Sequence, residues 1–399
     1  MIRLYNRARI LLFSYYRYLR KNRSEKRIGE ENKADSILIV FLRSIGDSLI
    51  AQEALKELTD HYKEKSIYLL SLKFVNEFIK DFGDLEGCHY LSMDMKADMP
   101  RYREVRNIYL KIKDIYFDKV ICLQQHSVAT AFLAGVKYND CLILSDNSKW
   151  YRKRNAMFLG NRIYTDVYES DKDDMFFKRY RDFVRYIEGN DYRSKIYRID
   201  RAVDGDNRYK NKYVVISVGA QETCRRIPVK HIIQAAKSIR SVSVYEIVLT
   251  GEAKDRLYAE EITEAIKKTT DITVHNMVGN TSIRELFDVI SGSQLVLSGD
   301  SGTAHMSVSL GKRVICISGF WDGNQFMPYD VDDTDGLNVP ICIKTDENLP
   351  CDFCRPDMKG IKINPDCMKS VKSGGSYHCL NSISEDKVGR TIERLLSHQ

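Results

Sequence analysis

The chain has 399 residues, 43% hydrophobic and 29% charged, with seven prolines and a formal net charge of +7. This fits a soluble globular protein of two or three domains and excludes a fibrous or largely disordered one. Residues 1–33 hold ten cations and three anions, so the whole net charge sits on this arm while the rest carries 52 charges of each sign. A basic arm on a neutral body argues against a nucleic-acid binder, whose basic footprint is spread over its binding face.

The arm comes first. At 100° per residue, Leu4, Tyr5, Ala8, Leu11, Leu12, Tyr15, Tyr16, Tyr18 and Leu19 fall on one arc, and Arg3, Arg7, Arg9, Arg17, Arg20 and Lys21 on the opposite one. Ile2, Ile10 and Phe13 do not fit the split. Such a helix suits an anionic membrane surface; the alternative is a helix docked on the protein's own body with solvated arginines. No apolar run nears the roughly 18–20 residues of a membrane span. The strongest N-terminal run, Ile10 to Tyr16, is interrupted by Arg17 and lacks the small-residue cleavage site of a secretory leader. We therefore expect a cytoplasmic protein, peripheral at the inner face of the cytoplasmic membrane through residues 1–33.

Beyond the arm, short apolar runs alternate with helical patterns. Strands are predicted at Ile37–Leu42, Ile67–Leu72, Lys119–Leu123 and Cys141–Leu144, and helices at 48–62, 74–82, 101–114, 126–135 and 172–188. Polar sequence at 191–212 reads as a linker. A second series follows, with strands at Tyr213–Val218, Ile247–Thr250, Gln294–Leu297 and Arg313–Ile317, and helices near 228–239, 253–268, 282–291 and 302–310. Strands alternating with helices mean parallel sheets covered on both faces. The expected architecture is therefore α/β, with a Rossmann-like domain at 34–190 and a second at 213–383, facing a cleft. A capped amphipathic helix at 384–399 closes the chain and is expected to pack back on the first domain.

In such sheets ligands sit at the carboxyl ends of the strands. Arg43-Ser44-Ile45-Gly46-Asp47 follows the first strand. No Gly-x-Gly-x-x-Gly occurs there, which disfavours a dinucleotide site. Asp47 at a helix start reads either as an N-cap or as a general base, with Gly46 allowing close approach of another molecule. In the second series, Val218-Gly219-Ala220 ends a strand, and Arg225 and Arg226 precede Pro228 at a helix start, which suits a phosphate. Glu252 closes the next strand. The most specific run is Asp300-Ser301-Gly302-Thr303-Ala304-His305, a strand end leading straight into a helix. Free N–H groups at that helix start and two hydroxyls suit a diphosphate, and Asp300 and His305 stand about one turn apart.

The ten cysteines divide into five scattered ones and five from Cys342 to Cys379. In a cytosolic chain, disulfides are disfavoured. Cys351-x2-Cys354 has metal-knuckle spacing, while Cys367 and Cys379 lack a matching pair. Residues 342–379 read as a cysteine-rich insertion, holding either a structural zinc or reduced, packed cysteines.

Taken in order, Arg43 to Asp47, Val218-Gly-Ala220 with Arg225-Arg-Ile-Pro228, Leu249-Thr-Gly251-Glu252, Val278-Gly-Asn-Thr-Ser282, Asp300 to His305 and Ile317-Ser-Gly319 resemble glycosyltransferase family 9, the ADP-heptose:lipopolysaccharide heptosyltransferases and their relatives. The resemblance covers roughly residues 36–330, plus a Cys-Met element and helix at Cys367–Leu396. It implies a GT-B fold and inverting transfer, with no cofactor required for catalysis, from a nucleotide-sugar donor to a lipid-linked glycan acceptor. Asp47 would be the base. Asp300, Ser301, Gly302, Thr303 and His305 would hold the donor's diphosphate and sugar, with Arg225 and Glu252 also on the donor, and Arg43, Ser44, Gly46 and Gly219 would shape the cleft loops. The sequence departs from the family pattern at Arg225, where a lysine is usual, and at Ile227, where a tryptophan is usual. The rival readings are a nucleotide-sugar epimerase of the same shape and a non-catalytic sugar-nucleotide or zinc-binding module.

Overall fold

The computed structural model describes seven positions within residues 9–17, then residues 34–145, 163–199, 211–320, 325–349 and 375–397, apart from single positions within them, together with Tyr209, Cys367 and Lys369. The chain forms two compact units, Met1–Ser194 and Lys195–Gln399.

In the first unit, strand β1 (Ser36–Phe41) leads into helix α1 (Ile45–His61), followed by β2 (Ser66–Leu72), α2 (Lys73–Phe82), β3 (His89–Met93), a small β4–β5 pair (Met95–Lys96 and Met99–Pro100), α3 (Tyr102–Ile112), β6 (Tyr116–Cys122), α4 (Ser127–Leu133), β7 (Lys137–Ser145), β8 (Asp166–Glu169) and α5 (Phe176–Glu188). The main sheet is parallel with order β3-β2-β1-β6-β7-β8. The apolar run Ile37–Phe41 is central and fully buried, which is why β1 reads as continuous rather than alternating hydrophobicity.

In the second unit, β9 (Tyr213–Ser217), a 3-10 turn (Thr223–Arg225), α6 (Val229–Val242), β10 (Glu246–Thr250), a second 3-10 turn (Ala253–Asp255), α7 (Arg256–Thr269), β11 (Val274–Asn276), α8 (Ile283–Gly292), β12 (Leu295–Gly299), α9 (Gly302–Ser309), β13 (Val314–Ile317) and β14 (Ile341–Ile343) precede two C-terminal helices, α10 (His378–Asn381) and α11 (Glu385–Ser397). This sheet is also parallel, with order β11-β10-β9-β12-β13-β14. In both sheets the chain first builds outward on one side and then returns to build on the other. The strand order therefore reverses at β1/β6 in the first unit and at β9/β12 in the second, and such reversals open ligand crevices at the carboxyl ends.

Three expectations need correction. The C-terminal helix α11 lies on α6 of its own unit: Val388, Ile392 and Leu396 join that unit's core, and Ser238 donates to Glu393 at 2.7 Å. Its apolar stripe is used there, in place of the predicted packing on the first domain. The linker is shorter than 191–212, because Ile196, Tyr197 and Ile199 are buried and Ile199 N–H donates to Ser309 O at 2.9 Å. Cys342 belongs to β14, as the register partner of Cys316, rather than to an irregular insertion. The arm, for which the sequence leaves both a membrane-facing and a docked helix open, docks among its described residues through Ile10, Phe13 and Arg17. Phe13 packs edge-on to Tyr102 and Tyr109 of α3, and Arg17 covers the Tyr109 ring at 4.6 Å.

Candidate active site

The loop after β1 is locally determined. Ser44 is the N-cap of α1, and its backbone N–H (3.3 Å) and hydroxyl (2.5 Å) both donate to Asp47 Oδ2. Asp47 is thus the third helical residue, reaching back to the cap as in a capping box. Its other oxygen faces Arg43 at 3.4 Å. The Arg43 guanidinium is held over the Phe176 ring of α5 at 4.7 Å. Asp47 therefore helps close the helix start from the third helical position rather than as the N-cap itself, and its second carboxylate oxygen stays partly exposed beside Arg43. Gly46 lies buried in the first turn. Tyr180 of α5 is buried with its hydroxyl lacking a hydrogen-bond partner among the described residues. Burial pushes its phenol well up, with Arg43 and Asp47 close enough to influence it. A buried hydroxyl beside the carboxylate had no local signal in the sequence, since α5 is remote from the loop in the chain.

The second unit gathers the rest at the β9/β12 reversal. Ser301 caps α9, so its first turn presents the N–H groups of Gly302 and Thr303 where β12 ends. The hydroxyls are tied down: Ser298 and Ser301 share a 2.9 Å hydrogen bond, and Ser217 of β9 donates to Thr303 Oγ1 at 3.2 Å. Arg225 Nη2 donates to the Asp300 carbonyl at 3.4 Å, which brings the guanidinium beside this turn. His305 is 4% exposed; its Nε2 is 3.9 Å from Asp300 Oδ1, and its Nδ1 is 2.6 Å from Tyr329 Oη, with the two rings stacked at 10°. A carboxylate on the Nε2 side favours the proton there, leaving Nδ1 to accept from Tyr329. Burial holds the Tyr329 phenol well above its usual range, so it stays a neutral donor. Lys344 adds a second cation near Asp300, its pKa lowered chiefly by burial.

Not every predicted residue joins this cluster. Glu252 stands at the end of β10 with its side chain 75% exposed, paired with Lys254 at 3.1 Å. The buried carboxylate at that corner is Asp255, which the sequence reading missed. It takes Arg226 at 2.5 Å, so of the adjacent arginines Arg225 is the one beside the Asp300 turn. Gly219 is needed for close approach: a Cβ there would stand 2.6 Å from Asp255 Oδ2. Tyr329 was missed as well, lying in a loop far along the chain from His305. The spacing Glu252-x-x-Asp255, a capping pattern, was a legible hint for Asp255. Among the cysteines, Cys367 and Cys379 are buried in the core of the second unit, and the His378 N–H donates to Cys367 Sγ at 3.3 Å. Cys351 and Cys354 lie outside the described residues. Among the described residues no three metal-binding side chains converge.

The family model for glycosyltransferase family 9 (heptosyltransferase) matches residues 109–346. The chain belongs to that family. As a family 9 glycosyltransferase it has the GT-B architecture of two Rossmann-like units, and it is an enzyme. It is 22% identical over 308 residues to the lipopolysaccharide core heptosyltransferase OpsX of Haemophilus influenzae, covering 74% of this chain and 82% of that one. Two solved structures share the fold. A family 9 glycosyl transferase of Veillonella parvula has a TM-score of 0.66 at 15% identity, covering 93% of this chain and all of the other. The ADP-heptose lipopolysaccharide heptosyltransferase II of E. coli has a TM-score of 0.62 at 16% identity, covering 91% and 99%.

Proposed function

We propose that this glycosyltransferase moves heptose, with inversion, from an ADP-activated donor to a lipopolysaccharide-core or other lipid-linked glycan acceptor. The observation that carries the reading is the Asp300–His305 run at the start of α9, on the β9/β12 reversal with Arg225 beside it. Family membership and the relatives' ADP-heptose and lipopolysaccharide chemistry support it.

In this reading the second unit holds the donor. The N–H groups of α9 and the Arg225 guanidinium meet the diphosphate, and Lys344 adds charge as it departs. Asp300 and His305 take the sugar hydroxyls. Asp47 removes the proton from the acceptor hydroxyl, whose oxygen attacks the anomeric carbon as the sugar–phosphate bond breaks. Positive charge from side chains and a helix start serves the leaving diphosphate, so we propose that turnover needs no metal. The reaction takes place at the cytoplasmic face of the membrane that carries the acceptor. Titrating the protein with a panel of nucleotide-sugars, then following ADP release with a lipid-linked acceptor in the presence of EDTA, tests each element. Binding of no ADP-sugar overturns the donor, and loss of turnover with EDTA overturns the metal-free step.

We further propose that Cys351, Cys354, Cys367 and Cys379 hold a structural zinc. The N–H donated to the buried Cys367 sulfur supports this, since such donation steadies a thiolate. Elemental analysis of protein purified without added metal decides it, and a zinc content near zero removes the idea.

A further inference from the structure

The arm helix has two working faces. Ile10, Phe13 and Arg17, at i, i+3 and i+7, lie on one stripe. Ile10 is 3% exposed, Phe13 packs edge-on to Tyr102 and Tyr109, and Arg17 lies over the Tyr109 ring with its Cβ 3.0 Å from where a Cβ on Gly135 would be. Arg9 covers the Tyr102 ring at 4.5 Å. The docked stripe thus includes Ile10 and Phe13, two of the residues that broke the amphipathic pattern, together with arginines from its polar arc. The described residues of the apolar arc face outward instead: Leu12, Tyr15 and Tyr16 are 70%, 55% and 51% exposed. At 100° per residue this stripe lies roughly 140° round the helix from the docked one. Attachment to α3 therefore does not consume Leu12, Tyr15 and Tyr16; it leaves these three exposed on the first unit.

We propose that Leu12, Tyr15 and Tyr16 form an insertion surface for an anionic phospholipid bilayer, fixed on the first unit by the Ile10–Phe13–Arg17 stripe. Charge selects this occupant. Residues 1–33 carry a net +7 while the rest of the chain is neutral. A second copy brings the same positive arm and is repelled. A nucleic acid would meet the charge but leave a leucine and two tyrosines wet. An anionic bilayer satisfies both: phosphates face the cations, and the tyrosines sit at the headgroup boundary. The inference needs neither the donor nor the acceptor of the transfer reaction, so it can fail without the transferase reading failing, and the reverse also holds.

The test is co-sedimentation of the full chain with vesicles of phosphatidylcholine alone or with about a third phosphatidylglycerol, a fraction chosen to give a strongly anionic surface. The wild type should partition onto the anionic vesicles and fall off as salt rises. A Leu12→Ser, Tyr15→Ser, Tyr16→Ser variant should partition at least about tenfold less, with unchanged circular dichroism and ADP-sugar binding. Should that variant misfold, Tyr15→Trp in the otherwise intact chain gives the second reading: the emission it adds to that of Trp150 and Trp321 in the wild type should be quenched by brominated anionic lipid. Equal binding to neutral vesicles, unchanged partition of a folded triple variant, or an unquenched tryptophan overturns the proposal. So does a concentration-dependent dimer that the triple variant abolishes.

Discussion

Arg226 and Asp255 meet at 2.5 Å across the strand ends of the second unit, with the carboxylate completely buried and the arginine side chain 15% exposed. Asp255 also accepts from the Glu252 N–H at 3.2 Å, and Gly219 leaves room for it. The pair ties the loops after β9 and β10 together. Removing one partner leaves an uncompensated buried charge, which costs about 3–5 kcal/mol. Asp255→Ala should therefore lower the unfolding free energy by about that amount in urea titrations. A loss below about 1 kcal/mol, the worth of an exposed pair, would show that the pair is not structural.

Asp47 holds one oxygen against its own cap and leaves the other on Arg43. Asp47→Asn keeps the shape but cannot take a proton. Transfer should fall by about 10²–10⁴-fold while donor affinity stays within about twofold. Full turnover in steady-state assays would sink the base assignment.

Tyr329 holds the His305 ring through a 2.6 Å hydrogen bond to Nδ1. Tyr329→Phe keeps the stacked ring and deletes that bond, worth about 0.5–1.5 kcal/mol. The donor should then bind about three- to tenfold more weakly, with the change appearing in KM for the donor rather than for the acceptor. Calorimetric titration with the donor measures it, and an unchanged affinity would make the contact mere packing.

Glu188, at the end of α5, is a pH-sensitive weak point. Burial, and then the neighbouring Glu57, push its pKa from 4.5 to about 7. The folded state therefore binds more protons than the unfolded chain between these values, and this group's contribution favours folding less as pH rises from 4.5 to about 7. Glu188→Gln should raise Tm at pH 8 and change it little at pH 4. A variant with the wild type's pH dependence of Tm would refute the assignment.

Much of this was legible in the sequence for a local reason. The buried runs Ile37–Leu42, Tyr213–Val218 and Gln294–Leu297 announce central strands because parallel strands are apolar on both faces. Asp47 and the Asp300–His305 run follow such strands immediately, so chain adjacency placed them at the sheet mouths. The short outer strands β3, β8, β11 and β14 gave no such signal, because edge segments such as Asp166–Glu169 are only partly buried. They form by pairing with strands that already exist.

The sequence by itself determined two α/β units, the strand-end positions of the site residues and the concentration of all net charge on residues 1–33. Only the tertiary structure decided which of two adjacent arginines serves the fold, since Arg226 found Asp255 29 residues away. It alone brought Tyr329 to His305 across 24 residues. It alone seated α11 on its own unit and turned Leu12, Tyr15 and Tyr16 outward rather than inward. Periodicity reports that a face is apolar; what covers that face depends on which distant side chains the folded chain brings near it.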